Sequence, residues 1–251
     1  MANEIAMEFM IRSYYTAASG MIYENKRQEN IAQNLSNIET NGFKQTMLMA
    51  TSQSEATVRN QNGRHEVGSL TMKVGIHEAN LSMEQGALKV TNNPLDFAIQ
   101  GSGFFVLEGP NGLVYTRDGS FGVNNQGLLV SKEGYPVLSQ QGYVQVGEGE
   151  VGSTADGRLS VNGMNYQLQI MNLEDVTLMT PLSNNTYAYT GEPVLSNEFM
   201  LNQGMVEGSN VDATTELVKM IESSRSFQMN SKVLQAMDQV MAQSVSEIGK
   251  I

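Results

Sequence analysis

NLSNIETNGFK, residues 34–44, separates two kinds of chain. Upstream, apolar residues recur at helical intervals: Met10, Tyr14, Ala17 and Met21, then Ile31, Leu35 and Ile38. Steps of three and four mark one face of a helix, here interrupted by a polar gap at Glu24, Asn25 and Gln28. Downstream that period disappears. Asn37, Asn41 and Gly42 tolerate a left-handed backbone, so the helix is expected to end near Asn37 and the chain to turn at Thr40-Asn41-Gly42. Phe43 is placed to fold back on the last helical turn.

A second helical run occupies the other end. Ser209, Asn210 and Asp212 offer N-caps, and Glu216 adds negative charge to the first turn. The stripe Leu217, Met220, Ser224, Phe227, Ser231, Leu234, Met237, Met241, Val245, Ile248 again advances by three or four, with no proline or interior glycine. Such a helix is about 50 Å long, more than a small domain needs, and points to coiled-coil-like packing.

The middle reads as β-structure. LDFAIQGSGFFVLEG places Phe97, Ile99, Phe104 and Val106 between glycines. Beyond it, short apolar runs alternate with Asn-Gly, Asp-Gly, Gln-Gly and Glu-Gly, the signals of hairpins and tight turns. The expected class is α+β: terminal helices paired in a coiled-coil-like domain, and a central antiparallel β-rich domain. The expected division is a helical domain from 1–44 and 207–251, a Ser/Thr/Gln/Asn-rich connector at 45–79, and a β-rich domain at 80–206.

Charge and chemistry narrow the function. The net charge is −11, and residues 51–210 alone hold seven Lys/Arg against sixteen Asp/Glu, a net of −9. Nucleic-acid binding needs a basic footprint that this distribution lacks. There is no cysteine, which removes disulfides and thiolate chemistry. No apolar run reaches the length of a membrane-crossing helix, and the first residues lack the pattern of a signal peptide. GEGEVG at 147–152 fits G-x-G-x-x-G, but a dinucleotide loop must open a helix, and STADGRLSV reads as a turn and a strand. His65 and His77 lack metal-ligand spacing. Asp118 and Asp156, each before a glycine, read as turn residues and not as calcium ligands. No catalytic, cofactor or metal residue is assigned.

Neither terminal helix has a rich apolar stripe. Ser224 and Ser231 dilute one, and Glu24, Asn25 and Gln28 dilute the other. A lone pair of such helices buries little, so further copies or partners are expected. The alternative is a monomeric soluble binding module or enzyme whose terminal helices pack internally.

Three motifs then carry a resemblance. TAASGM, Thr16 to Met21, followed by Asn34, Leu35, Asn37, Thr40, Gly42, Phe43 and Lys44, resembles the N-terminal signature of bacterial flagellar axial proteins, the rod and hook proteins. Gln33, Ser36 and Ile38 are mild departures from that signature. QGALKVTNNPLDFAIQGSGFF and QGMVEGSNVDATTELVKMIESSRSF resemble the family's β domain and C-terminal segment. The length and GSNV resemble the proximal or distal rod proteins. The resemblance aligns MIRS at Met10 with the family's start, which makes residues 1–9 either an extension or part of a misassigned start, and in both cases dispensable.

The resemblance implies a non-enzymatic subunit of the flagellar basal-body rod, exported without a cleaved signal peptide. Its terminal helices would polymerise into an axial tube that transmits motor torque. It implies an assembly interface at Met10, Tyr14, Met21, Ile31, Leu35, Leu217, Met220, Phe227, Leu234, Met237, Met241 and Val245. It implies a motif turn at Asn34, Asn37, Thr40, Gly42, Phe43 and Lys44 that sends the chain out to the β domain. The implied partners are further copies, other rod and hook proteins and the flagellar type III export apparatus, with no nucleic acid, small-molecule substrate or cofactor.

Overall fold

Two long helices bracket a chain otherwise made of strands. They are α1, Ala2–Ser36, and α2, Ala213–Ile248. The computed structural model describes the backbone of residues 2–59, 66–147, 149–183 and 185–248; side chains are described for 13–50, 80–147, 149–183 and 185–243. Helix α1 ends one residue before the expected Asn37 but starts at Ala2 and not at Met10, so residues 2–9 continue the helix.

The chain divides into two compact units. The first holds Met1–Gln33, Met47–Ala79 and Ala213–Ile251. In it the helices run antiparallel: Glu24 on α1 faces Ser223 on α2, whose hydroxyl donates to the Glu24 carbonyl at 3.1 Å, while Arg27 lies 3.7 Å from Glu222. Earlier on α1, Gly20 sits against Asn230, so close that a Cβ would lie 2.9 Å from the Asn230 amide nitrogen. The seam is therefore partly polar. Glu24, Ser223 and Glu216 are buried, while Met220, Phe227, Leu234 and Met237 are half-buried.

The segment expected to be a connector is more regular than its composition suggests. Strands Thr46–Arg59 and Glu66–Leu81 pair with each other and group with the helices. Their Ser, Thr and Gln residues lack the apolar alternation that marks a half-buried strand, so the period is silent there.

The second unit, Asn34–Thr46 and Asn80–Asp212, is the β-rich one. Its largest sheet has six antiparallel strands in the order Met179–Pro181, Thr186–Tyr189, Gly112–Thr116, Phe104–Gly109, Ile170–Asn172, Val194–Leu195. Side chains alternate across a strand. Phe105 and Leu107 therefore enter one apolar cluster, with Phe97, Ile99 and Leu129, while Phe104 and Val106 enter another, with Tyr115 and Tyr187. The sheet is buried on both faces, which is why FFVL reads as a continuous apolar run.

Leu107 is fully buried and Leu113, on the paired strand, is half exposed. Leu107→Ala is expected to cost about 2–5 kcal/mol and Leu113→Ala within about 0.5 kcal/mol. Chemical denaturation of the two variants checks the difference.

Candidate functional site

The motif turn is built on side chains that replace missing backbone bonds. Where α1 stops, its last carbonyls and the following amides need partners. The Asn34 side chain reaches forward from the last helical turn to the next strand: its Oδ1 accepts the Thr46 N–H at 3.0 Å, and its Nδ2 donates to the Thr46 carbonyl at 2.9 Å. This imitates a strand pairing and fixes where the chain leaves the turn. Inside the turn the Thr40 hydroxyl donates to Asn37 Oδ1 at 3.1 Å, and the Thr40 N–H donates to the Asn37 carbonyl. Asn34 and Asn37 are both buried, as is Phe43.

Gly42 is the position no other residue fits. Its φ is +68°, and a Cβ there would lie 2.2 Å from the Asp118 backbone nitrogen. Its N–H donates to the Glu207 carbonyl at 2.8 Å. Of the three residues that tolerate a left-handed backbone here, Asn37, Asn41 and Gly42, only Gly42 adopts it.

Lys44 completes the turn and is almost fully buried. Its Nζ lies 2.7 Å from Glu207 Oε1 and donates to the Glu84 carbonyl at 2.7 Å. Glu207, also fully buried, accepts on its other oxygen from Arg117 at 3.1 Å, and Oε1 takes the Gly86 N–H as well. The Arg117 guanidinium also donates to the Ile99 and Gly101 carbonyls and lies 5.2 Å from the centre of the Phe104 ring. Burial lowers both cations from their usual pKa, and the Glu207 charge opposes that shift. Two cations thus share one carboxylate in the interior.

Around this cluster the first and last segments of the β-rich unit are laced together. Asn210 accepts the Gln45 N–H at 2.7 Å and donates to the Ser82 and Glu84 carbonyls. Asn185 donates to Asp118 at 2.9 Å and to the Asn41 carbonyl. Asn210 therefore joins the first and last segments of the β-rich unit and does not serve as the expected helix cap. Asp118 accepts the Ser120 N–H, the turn role expected of it, and Asp156 does similar work with Thr154 and Arg158.

These contacts move a boundary. Residues 34–44 and 207–212, expected with the helices, belong to the β-rich unit because Lys44, Gln45, Glu207 and Asn210 bond within it.

The expected assembly residues spread over both helices. Ile31 is buried, while Met21, Leu35, Met220, Phe227, Leu234 and Met237 are half-buried. Tyr14, Leu217 and Met241 are exposed. Met10 and Val245 lie on the helices, but their side chains fall outside the described residues, as does that of His77; His65 lies outside them entirely. GEGEVG leads into the hairpin of Val151–Ser153 and Arg158–Val161, with no helix to receive a pyrophosphate. Gly152 lies in that first strand and not in a turn, and a Cβ there would touch nothing within 4 Å.

Two family patterns match the chain. One described as the flagellar hook protein FlgE/F/G D1 domain covers residues 98–178, and one described as the flagellar basal body rod FlgEFG protein C-terminal region covers residues 202–247. The chain is 30% identical over 262 residues to the flagellar basal-body rod protein FlgG of Buchnera aphidicola subsp. Schizaphis graminum, covering 95% of this chain and 100% of that one. It is 31% identical over 259 residues to FlgG of Caulobacter vibrioides, covering 93% and 97%. It is 28% identical over 248 residues to the flagellar basal-body rod protein FlgF of the same organism, covering 96% and 100%.

The turn predicts a sharp contrast between two glycines. Gly42→Val forces a branched side chain into a left-handed backbone and against Asp118, and is expected to cost roughly 3 kcal/mol or more. Gly152→Val has open space and an extended backbone, and is expected to stay within about 0.5 kcal/mol of the parent. Urea denaturation of both variants measures this.

The Tyr187 hydroxyl is pushed up to about 12 by burial, against an ordinary 10.0. Between those values the folded chain keeps a proton that the unfolded chain has lost. The stability tied to this group is full below the ordinary value and declines as pH rises through the folded one, by roughly 2 to 3 kcal/mol. Denaturation at alkaline pH is expected to show that decline in the parent and not in Tyr187→Phe.

Proposed function

The chain belongs to the family of flagellar basal-body rod proteins, and from that premise we propose how it serves the rod. It is a structural component of the rod and not an enzyme. The proposed role is a subunit that polymerises through its terminal helices into the axial tube of the basal body and passes motor torque along it. Its neighbours are further copies of itself and other rod and hook proteins, and the flagellar type III export apparatus delivers it.

One observation carries this reading. Helix α2 keeps a second apolar face that α1 does not cover: Val218, Ile221, Met229, Val233 and Val240 are between 45% and 59% exposed. Those positions recur at helical intervals, so they form a stripe. The face toward α1 is diluted by Ser223, Ser224, Asn230 and Ser231. A helix pair with a polar seam and an uncovered apolar stripe gains little by staying alone. Packing against other helices supplies the missing burial. The proposed assembly interface therefore adds this stripe to Tyr14, Leu217 and Met241, while Phe227, Leu234 and Met237 hold the pair together. A monomeric enzyme or binding module with internally packed helices has no use for the exposed stripe.

Ile221→Asp and Met229→Asp place a charge where apolar contact is proposed. Electron microscopy of basal bodies from cells carrying either variant is expected to show the rod interrupted, while the purified variants melt as the parent does. Intact rods with both variants would exclude the stripe as an interface.

A further inference from the structure

We infer that Lys44 and Arg117 form a like-charge gate that holds the β-rich unit open until Glu207 arrives between them. Glu207 is the shared counterion of two buried cations, with Lys44 at 2.7 Å and Arg117 at 3.1 Å. All three side chains are almost fully removed from solvent. Lys44 and Arg117 sit on the two oxygens of one carboxylate, which holds their charges close enough to repel, and burial and the Arg117 charge both lower the Lys44 pKa. Backbone carbonyls of Glu84, Ile99 and Gly101 accept from these cations but carry no charge to neutralise them.

The order along the chain gives this cluster its consequence. Lys44 and Arg117 are made before Glu207, because a chain emerges from synthesis N-terminus first. Until Glu207 is present, closing the unit would bury two cations side by side without an anion, and a buried uncompensated charge is strongly unfavourable. Glu207 ends the strand Met205–Glu207, which pairs with Leu88–Val90. Its own carbonyl then takes the Gly42 N–H, and Asn210 takes the Gln45 N–H. One short segment thus brings the neutralising charge and the bonds that fasten the turn. The β-rich unit closes when its last strand appears, with only the final helix still to come.

This differs from a simple anchor in the effect of removing Lys44. If the cluster is an anchor, each loss weakens it further. If it is a gate, removing one cation relieves the loss of the anion. Hydrogen exchange at the Phe105, Val106 and Leu107 amides of the full chain reads whether the unit is closed. In Glu207→Gln, exchange at these amides is expected to accelerate about a hundred-fold or more. In the double variant Lys44→Met with Glu207→Gln, it is expected to slow again by about ten-fold or more relative to Glu207→Gln alone. Parent-like exchange in Glu207→Gln overturns the proposal, and so does a double variant that exchanges as fast as Glu207→Gln. Where Glu207→Gln is obtained only as an unfolded chain, a folded double variant supports the gate and an unfolded one overturns it.

Discussion

Glu207 is the point on which the β-rich unit depends. It binds Lys44 from beyond the turn that follows the first helix, Arg117 from the middle of the chain and the Gly86 N–H from between them. A buried ion pair is not by itself a source of large net stability, because desolvation offsets most of the attraction. Its force lies in the asymmetry. With every partner present the cluster is near neutral in cost, and with one missing it is strongly unfavourable. Such a cluster selects one arrangement of three distant segments far more sharply than apolar contacts, which accept many packings.

The turn at residues 34–44 follows from that requirement. Lys44 has to reach the interior while α1 ends only a few residues earlier, at Ser36. A chain making that change of direction needs a left-handed residue at closest approach, and Gly42 sits with its backbone against Asp118 and Arg117. Side chains then tie the turn: Asn34 bonds both backbone groups of Thr46, and the Thr40 hydroxyl bonds the Asn37 side chain. Each of these residues has a distinct physical task, so the asparagine-rich composition reflects hydrogen-bond accounting and not general polarity.

The sequence made some of this plain and hid the rest for identifiable reasons. The end of α1 was legible because the apolar period stops where Asn and Gly begin. The strand at Phe104–Gly109 was legible because its residues are apolar on both faces. Lys44 was legible only as part of a motif, since a lysine after Phe normally reads as a solvated charge. Glu207 carried no signal at all: a glutamate before glycine suits an exposed turn equally well, and its partners lie 163 and 90 residues away in the chain. Asn210 reads as a cap in the sequence because Asn is favoured at the start of a helix, and nothing local reveals its distant partners Gln45, Ser82 and Glu84. The strand Thr46–Arg59 leaves no periodic signal in the sequence, because periodicity reports burial and a polar strand need not alternate.

The two units solve opposite problems with the same few residue types. In the β-rich unit, Lys44, Arg117 and Glu207 pair within the chain, although Arg117 Nε and the Tyr187 hydroxyl stay without a hydrogen-bond partner among the described residues, so the fold is specified largely from inside. In the helical unit, serines, a glycine and an asparagine thin the seam between α1 and α2, and apolar residues remain on the outer face of α2. A seam of that kind fixes register through Ser223 and Glu24 without binding strongly, and it leaves the stronger apolar contact unused. An isolated globular protein would gain from the reverse arrangement, with apolar residues in the seam and polar ones outside. The division places buried, paired charges in one unit and exposed apolar surface in the other, which is the surface the proposed assembly would use.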